Sequence, residues 1–401
     1  MSSVPIDWMR RLAEHHARCR SMSTGSRLLL VFDIDGTILR GHRGGVMEVI
    51  RWFQLQPSTF VGLITSRPER RRGETLRFLN AAGREHRVQF DDDLLQMNQG
   101  KAVGLRAFAA AGYQVVAVVG DDPEVVEAGA DGAGEVLFLP IGGAHDDLRS
   151  LIGEHDLPPH VQLVWHGVND PANLRQFLAA PVRWGEVDVR YDAHRDLVLQ
   201  HDASDTRSIT SPADRLLLGD CLDAFRGAGK AAKLDLKDPG VVDETLGCLR
   251  RSGLGDDELW FNGRIDTLGE QTFRRLSRAH PGAVLQCPVD ALGPLMVAAP
   301  AEAKHHVATL ARCGINRFSV SWTSPHLHLL LDRLDEWGHE TNIYAVPDLE
   351  QFLRATLLLP RSITADFNFP EWHYFGRGAG QGGQYHSYQL ETVAPPTADV
   401  A

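Results

Sequence analysis

The chain is poor in cysteine: Cys19, Cys221, Cys248, Cys287 and Cys313 are the five among 401 residues. The number is odd, and no two stand at Cys-x-x-Cys spacing. That excludes a disulfide framework and a cysteine-built zinc site, and it predicts a reducing, cytoplasmic setting. Long apolar runs are missing too. None approaches the ~20 residues of a membrane span, so no transmembrane segment is expected. The N-terminal stretch is amphipathic and basic, carries Glu14, His15 and His16, and lacks an apolar signal core. It predicts a short surface helix within an extension over residues 1–24. Positive charge is in deficit, with 41 Lys and Arg against 52 Asp and Glu and a net charge of -11. Such a balance repels nucleic acid and anionic membranes. No aromatic–basic stripe compensates for it, which argues against single-strand binding. A small molecule held by local cations and metal is the partner class that fits, and oligomers stay open.

What is present is ordinary globular composition, 43% hydrophobic and 23% charged, on a chain long enough for two cores. Short, mainly apolar runs at residues 28–32, 60–64, 115–119 and 135–139 alternate with helical patterns at 46–53, 69–81, 101–111 and 123–130. Runs of that length between helices read as buried parallel strands. A doubly wound α/β sheet over residues 25–145 follows, with ligands at the carboxyl ends of its strands. Residues 146–160 read as a linker and contain Pro158-Pro159. A second alternation gives eight strands at 161–165, 185–189, 232–236, 259–262, 283–286, 317–320, 342–345 and 363–366. Eight strand–helix units predict a (β/α)8 barrel over 161–375. The Gly- and Pro-rich remainder, 376–401, reads as a flexible tail.

The first candidate site is the run Asp33-Ile34-Asp35-Gly36-Thr37 at the end of the first strand. Residues i and i+2 of a strand point the same way, so Asp33 and Asp35 are expected to face one pocket. One carboxylate can attack a phosphoryl group, and the other can give and take the proton. Thr65 and Ser66 close the second strand, with Arg67 beside them. Lys101 opens a helix and can neutralise developing charge. Asp121 and Asp122 follow the third strand and suit magnesium.

These motifs, in this order, resemble the haloacid dehalogenase-like phosphatases between Arg27 and Pro140. The resemblance implies Asp33 as nucleophile, Asp35 as acid/base, and Thr65 and Lys101 as phosphate ligands. It places Mg2+ on Asp33, Asp35 and Asp121, with Asp122 nearby. Thr37 to Thr65 spans 28 positions and Thr65 to Lys101 spans 36, too few for a large cap domain.

The second candidate site opens with His166-Gly167, then Glu186-Val187-Asp188, His201-Asp202 and Asp235-Leu236-Lys237. Glu186, Asp188 and Asp235 suit a hard divalent ion. Two histidines can serve as general base and acid, and Lys237 can stabilise phosphorane oxygens. Asn262, Gln286, Trp322, Tyr344 and Asn368 are candidate pocket residues, each as readily read as packing. The ordered set resembles the glycerophosphodiester phosphodiesterase and sphingomyelinase D superfamily. It departs from the glycerophosphodiesterases in having no Arg after His166 and Asp235 in place of Glu. The run Lys233-Leu234-Asp235-Leu236-Lys237 is similar to menorin-type barrels. The resemblance implies Mg2+ or Ca2+, and leaves open whether water or an internal hydroxyl attacks.

Together the two sites predict a bifunctional phosphohydrolase, the barrel cutting a phosphodiester and the first domain removing the phosphate left behind. The alternatives are a single working site with the other domain as cover, a cyclising lyase, and a nucleic-acid end-processing phosphatase.

Overall fold

A computed structural model of the chain describes residues 8–23, 25–38, 43–97, 101–120, 136–140, 148, 152, 161–201 and 215–366. The expectations for the helix at 123–130, for Asp121, Asp122 and Asn368, for most of the linker and for the tail lie outside these residues. The chain divides into two units, Met1–Leu157 and Pro158–Ala401.

The first unit carries a parallel sheet of β1 (Arg27–Asp33), β2 (Thr59–Thr65), β3 (Leu95–Met97), β4 (Tyr113–Gly120) and β5 (Leu137–Pro140). Their order is β3-β2-β1-β4-β5. β1 is central and buried on both faces, which is why its sequence is continuously apolar instead of alternating. Helices Arg43–Gln54, Arg72–Gly83 and Lys101–Ala110 flank the sheet sequence as the periodicity predicts. Phe108 of the last helix packs with Leu29, Val31 and Ile64. It does so over Gly62, where a Cβ would stand 3.1 Å from the Phe108 ring. Phe108→Ala should cost about 3–5 kcal/mol.

Two expectations change here. The sheet gains β3, whose three residues follow a polar acidic stretch and carry too short a pattern to read. The helix Trp8–Met22 is not a surface helix, because it buries Trp8, Met9, Leu12, His15, His16 and Cys19. His15 Nε2 donates to the Val116 carbonyl at 2.9 Å, and His16 Nε2 lies 2.9 Å from the Thr59 hydroxyl. The two histidines satisfy themselves on the sheet, so their polarity misleads a reading based on hydropathy. Burial and the nearby Arg20 push His16 down to about 4.

The second unit starts with β6 (Gln162–Trp165), β7 (Trp184–Tyr191), β8 (Leu197–Leu199) and β9 (Ala231–Leu236). It continues with β10 (Leu259–Asn262), β11 (Val284–Pro288), β12 (Arg317–Ser321), β13 (Glu340–Val346) and β14 (Ser362–Ala365). All except β8 pair in parallel, and β14–β6 and β6–β7 close the ring. This is the eight-stranded barrel. β8 is an addition to the expected pattern, a short antiparallel partner for the end of β7.

Alternation sends one set of side chains into the barrel. Near its amino-terminal end the set includes Arg317, 2% exposed, whose guanidinium donates to Glu340 at 3.0 Å and to Gln162 at 2.8 Å. It also stacks 4.5 Å over Trp260, which meets Trp184 edge-on. A charged residue is tolerated there because its fork is satisfied. The barrel floor is thereby filled, and its opposite end is left for ligands.

Candidate active site

In the barrel, the turn after β6 bends at Gly167, whose φ of 72° favours glycine. The Gly167 N–H donates to Glu186 Oε2 at 2.8 Å. Asn169 then clasps Asp188, donating to its carboxylate at 2.6 Å and accepting from its backbone N–H at 2.9 Å. Asp170 caps the next helix by accepting from the N–H groups of Ala172 and Asn173. One short loop therefore fixes both acids of β7.

Glu186, Asp188 and Asp235 bring one oxygen each to within 4.8 Å of one another. Lys237 Nζ pairs with Asp188 at 2.7 Å and with Asp235. Burial drives Glu186 up to about 7, and the neighbouring Asp188 adds to this. Burial would raise Asp188 as well, but Lys237 holds it below the usual carboxylate range. Burial lowers Lys237, and the surrounding acids more than offset that, so it stays firmly charged. His166 Nδ1 is hydrogen-bonded to Asp366, and its Nε2 stands 3.7 Å from Glu186. Burial works against a charged imidazole, yet Glu186 and Asp366 raise the His166 pKa overall.

These residues open onto a cavity of about 630 Å³. His166, Glu186, His201, Asp235 and Lys237 all line it, as do Asn262, Gln286 and Tyr344. Asp188 sits behind the lining, 1% exposed. Trp322, expected as a substrate contact, does not line the cavity. Its indole N–H donates to Gln351 at 3.1 Å, so its polar tip is spent on the next helix.

Three neighbours of the site, Asp366, Asp290 and Arg190, belong to none of the motifs, and a fourth, Lys233, stands in one of them without a role. Asp366 ends a predicted strand and could have been noticed as the acid facing His166 across the closing seam. Lys233 is buried under the acids with Nζ on the Thr364 hydroxyl at 2.8 Å, and burial lowers it to about 8. Asp290 accepts from the Tyr344 hydroxyl at 2.9 Å. Arg190 lines the cavity from β7.

The donor set fits a divalent cation. Three clustered carboxylates are hard oxygen ligands, and they outnumber the one lysine, Lys237, that lies between two of them.

In the first unit, β1 ends at Asp33 and the chain turns immediately through Ile34–Ile38. Asp35 is therefore past the strand, and strand alternation is not what brings it to Asp33. Arg67 holds Asp35 with Nε at 2.9 Å and a terminal nitrogen at 2.7 Å, while the Thr65 hydroxyl donates to it at 2.7 Å. Burial lifts the Asp35 carboxyl slightly, and Arg67 and Thr65 more than reverse this, leaving it below its ordinary value. Lys101 Nζ stands 3.3 Å from Asp33. Gly120 passes close behind, where a Cβ would stand 3.2 Å from that of Asp33. Asp33, Asp35, Thr65, Arg67 and Lys101 are thus gathered, and Ser66 is exposed. Of the neighbouring arginines, Arg72 is tied to Glu69 and Asp92, and Arg70 and Arg71 are exposed.

A closed eight-stranded parallel barrel with an acid cluster at the carboxyl ends of its strands, joined to a five-stranded parallel sheet, is what fold and geometry define. No family model matches the chain, and no curated protein matches it. Among solved structures, it is similar to a phosphodiesterase of Oleispira antarctica in complex with the product sn-glycerol-3-phosphate. The two are 15% identical over 53% of this chain and 94% of that one, with a TM-score of 0.41. It is similar also to a glycerophosphodiester phosphodiesterase of Thermotoga maritima, 14% identical over 52% and 95% of the respective chains, with a TM-score of 0.39. No helix among the described residues is long and apolar enough to cross a membrane.

Proposed function

We propose that the barrel is a metal-dependent phosphodiesterase. The observation that carries this is the convergence on one cavity of Glu186, Asp235, two histidines and Lys237, with Asp188 directly behind. Glu186, Asp188 and Asp235 would hold Mg2+ or Ca2+, and the cation would polarise a phosphoryl oxygen. Lys237, which pairs with Asp188 and Asp235, would stabilise the charge gathering on the phosphoryl oxygens. His166, oriented through Nδ1 by Asp366, presents Nε2 to the reacting centre and moves one proton there. His201 on the wall handles the other. Water or a substrate hydroxyl is the nucleophile.

The first unit is proposed as a phosphomonoesterase acting through an aspartyl phosphate. Asp33 attacks phosphorus, Lys101 beside it neutralises the transferring group, and Asp35 protonates the departing alcohol before activating the water that frees the phosphate. Mg2+ would be held by Asp33 and the Asp35 carbonyl together with Asp121, with Asp122 as a further candidate ligand. The support is the gathering of Asp33, Asp35, Thr65, Arg67 and Lys101 in one place.

Phosphorus NMR on a panel of diesters with Mg2+ or Ca2+ tests both readings. Wild type is expected to yield inorganic phosphate by way of a monoester, and Asp33→Asn to stop at the monoester. Diesters left intact under both metals would overturn the phosphodiesterase reading.

A further inference from the structure

Arg190 is the cavity residue for which the proposed chemistry has no use. It lies on β7 two residues beyond Asp188 and four beyond Glu186, so alternation puts it on the same interior face, nearer the mouth. It is half-buried, and its Nε donates to the backbone carbonyl of His201 at 2.8 Å. That bond fixes the guanidinium beside the second histidine. Among the described residues no carboxylate pairs with it, in contrast to Arg264 on the exposed wall of the cavity and to Lys237 and Arg317 in the barrel interior. Arg264 grips Asp266, Lys237 lies between Asp188 and Asp235, and Arg317 holds Glu340. A half-buried guanidinium without a counter-charge is costly, and its planar fork matches phosphate and carboxylate.

The reacting phosphate belongs over the metal-ligating acids and Lys237. Two residues of parallel strand rise ~6.6 Å, so Arg190 is one step farther out, at the level of a substituent on the alcohol. We infer that the barrel's substrate is a phosphodiester whose alcohol carries a second anionic group, phosphate or carboxylate, and that Arg190 selects it. This rests on the phosphodiesterase reading above.

Calorimetric titration separates the two claims, because it needs no diester turnover; wild type and the Arg190 variants are all compared in an Asp33→Asn background, so that the first unit does not hydrolyse the monoester probes. The probes are propyl phosphate, propane-1,3-diol bisphosphate and 3-phosphooxypropanoate, each with Mg2+ present. One charge-assisted pair should make at least one of the doubly functional probes bind wild type on the order of tenfold more tightly than propyl phosphate. Which of them does so tells phosphate from carboxylate. Arg190→Met should erase the preference while leaving propyl phosphate unchanged, and Arg190→Lys should keep part of it. A circular-dichroism melt matching wild type establishes that the variants fold. Absence of a preference in wild type, its survival in Arg190→Met, or an equal loss for propyl phosphate would each overturn the inference. A preference that behaves as expected in a protein that cleaves no diester would sink the phosphodiesterase reading instead.

Discussion

The two sites solve the same problem, holding carboxylates close together, in opposite ways. In the first unit each acid has its own cation, Lys101 for Asp33 and Arg67 for Asp35. Asp35 keeps 44% of its side chain exposed, so water shares the work. In the barrel, Glu186 and Asp188 are each 1% exposed, and Lys237 is divided between Asp188 and Asp235. Among the described residues Glu186 has no lysine or arginine of its own, only the Gly167 N–H and His166, and burial pushes its carboxyl up to about 7. Charge matched locally is stable before any ligand arrives. Charge left over in a dry site is a demand for a cation, and the demand is strongest where water is most completely excluded.

The largest test of this separation is functional. His166→Ala should lower diester cleavage by about 10²–10⁴-fold, the range of a positioned acid or base. It should leave hydrolysis of a generic phosphomonoester intact. Asp33→Asn should do the reverse. If either single change abolished both activities in chromogenic mono- and diester assays, the two sites would not be independent.

A second contrast concerns stability. Lys237→Met leaves two barrel acids without their lysine and should destabilise the metal-free protein by about 3–5 kcal/mol. Added Mg2+ should recover most of that in urea melts. Arg67→Met faces a half-exposed acid, where solvent screens the loss, and should cost about 1 kcal/mol or less. Equal losses at the two positions would contradict the difference in burial on which the comparison rests.

Asp366→Asn probes orientation. Asp366 helps to raise His166, so its removal lowers the imidazole pKa and moves the limb of the pH–rate profile that reports His166 toward lower pH. The expected loss in kcat is about 10–100-fold, the size of losing an outer partner that fixes a histidine. A loss without a shift of that limb would assign Asp366 to packing alone.

Much of this was legible before any coordinates. All eight barrel strands overlap the eight segments that the strand–helix alternation predicts, and all the described catalytic and metal candidates lie in two places. What the sequence hides is of two kinds. Partners distant in the chain leave no local trace: Asp366 meets His166 across 200 residues, where the barrel seam closes. Polar residues inside the fold read as surface, as His15 and His16 do. The reverse error is Trp322, an aromatic at a strand end whose orientation is decided by Gln351 on the following helix. Strand alternation does not govern Asp35, which lies in the turn at Ile34–Ile38 and is held there by Arg67.

The smallest effect is the most specific to the barrel. Glu186 is held up to about 7 by burial and by Asp188, whereas in an unfolded chain it titrates at its ordinary value of 4.5. Between those values the folded, metal-free protein binds the extra proton. Its stability therefore falls as pH rises from the lower to the upper figure, and levels off above it. A cation competes with that proton for the same oxygen. Metal affinity should accordingly rise with pH up to about 7, by at most about tenfold per unit, and flatten beyond it. Glu186→Gln, which keeps the shape and removes the proton, should bind metal more weakly and lose most of this slope. Isothermal titration with Mg2+ across the window, on wild type and variant, measures both. An unchanged slope in the variant would mean that the proton resides elsewhere in the cluster, and the contrast between a dry, cation-hungry site and a locally balanced one would lose its central residue.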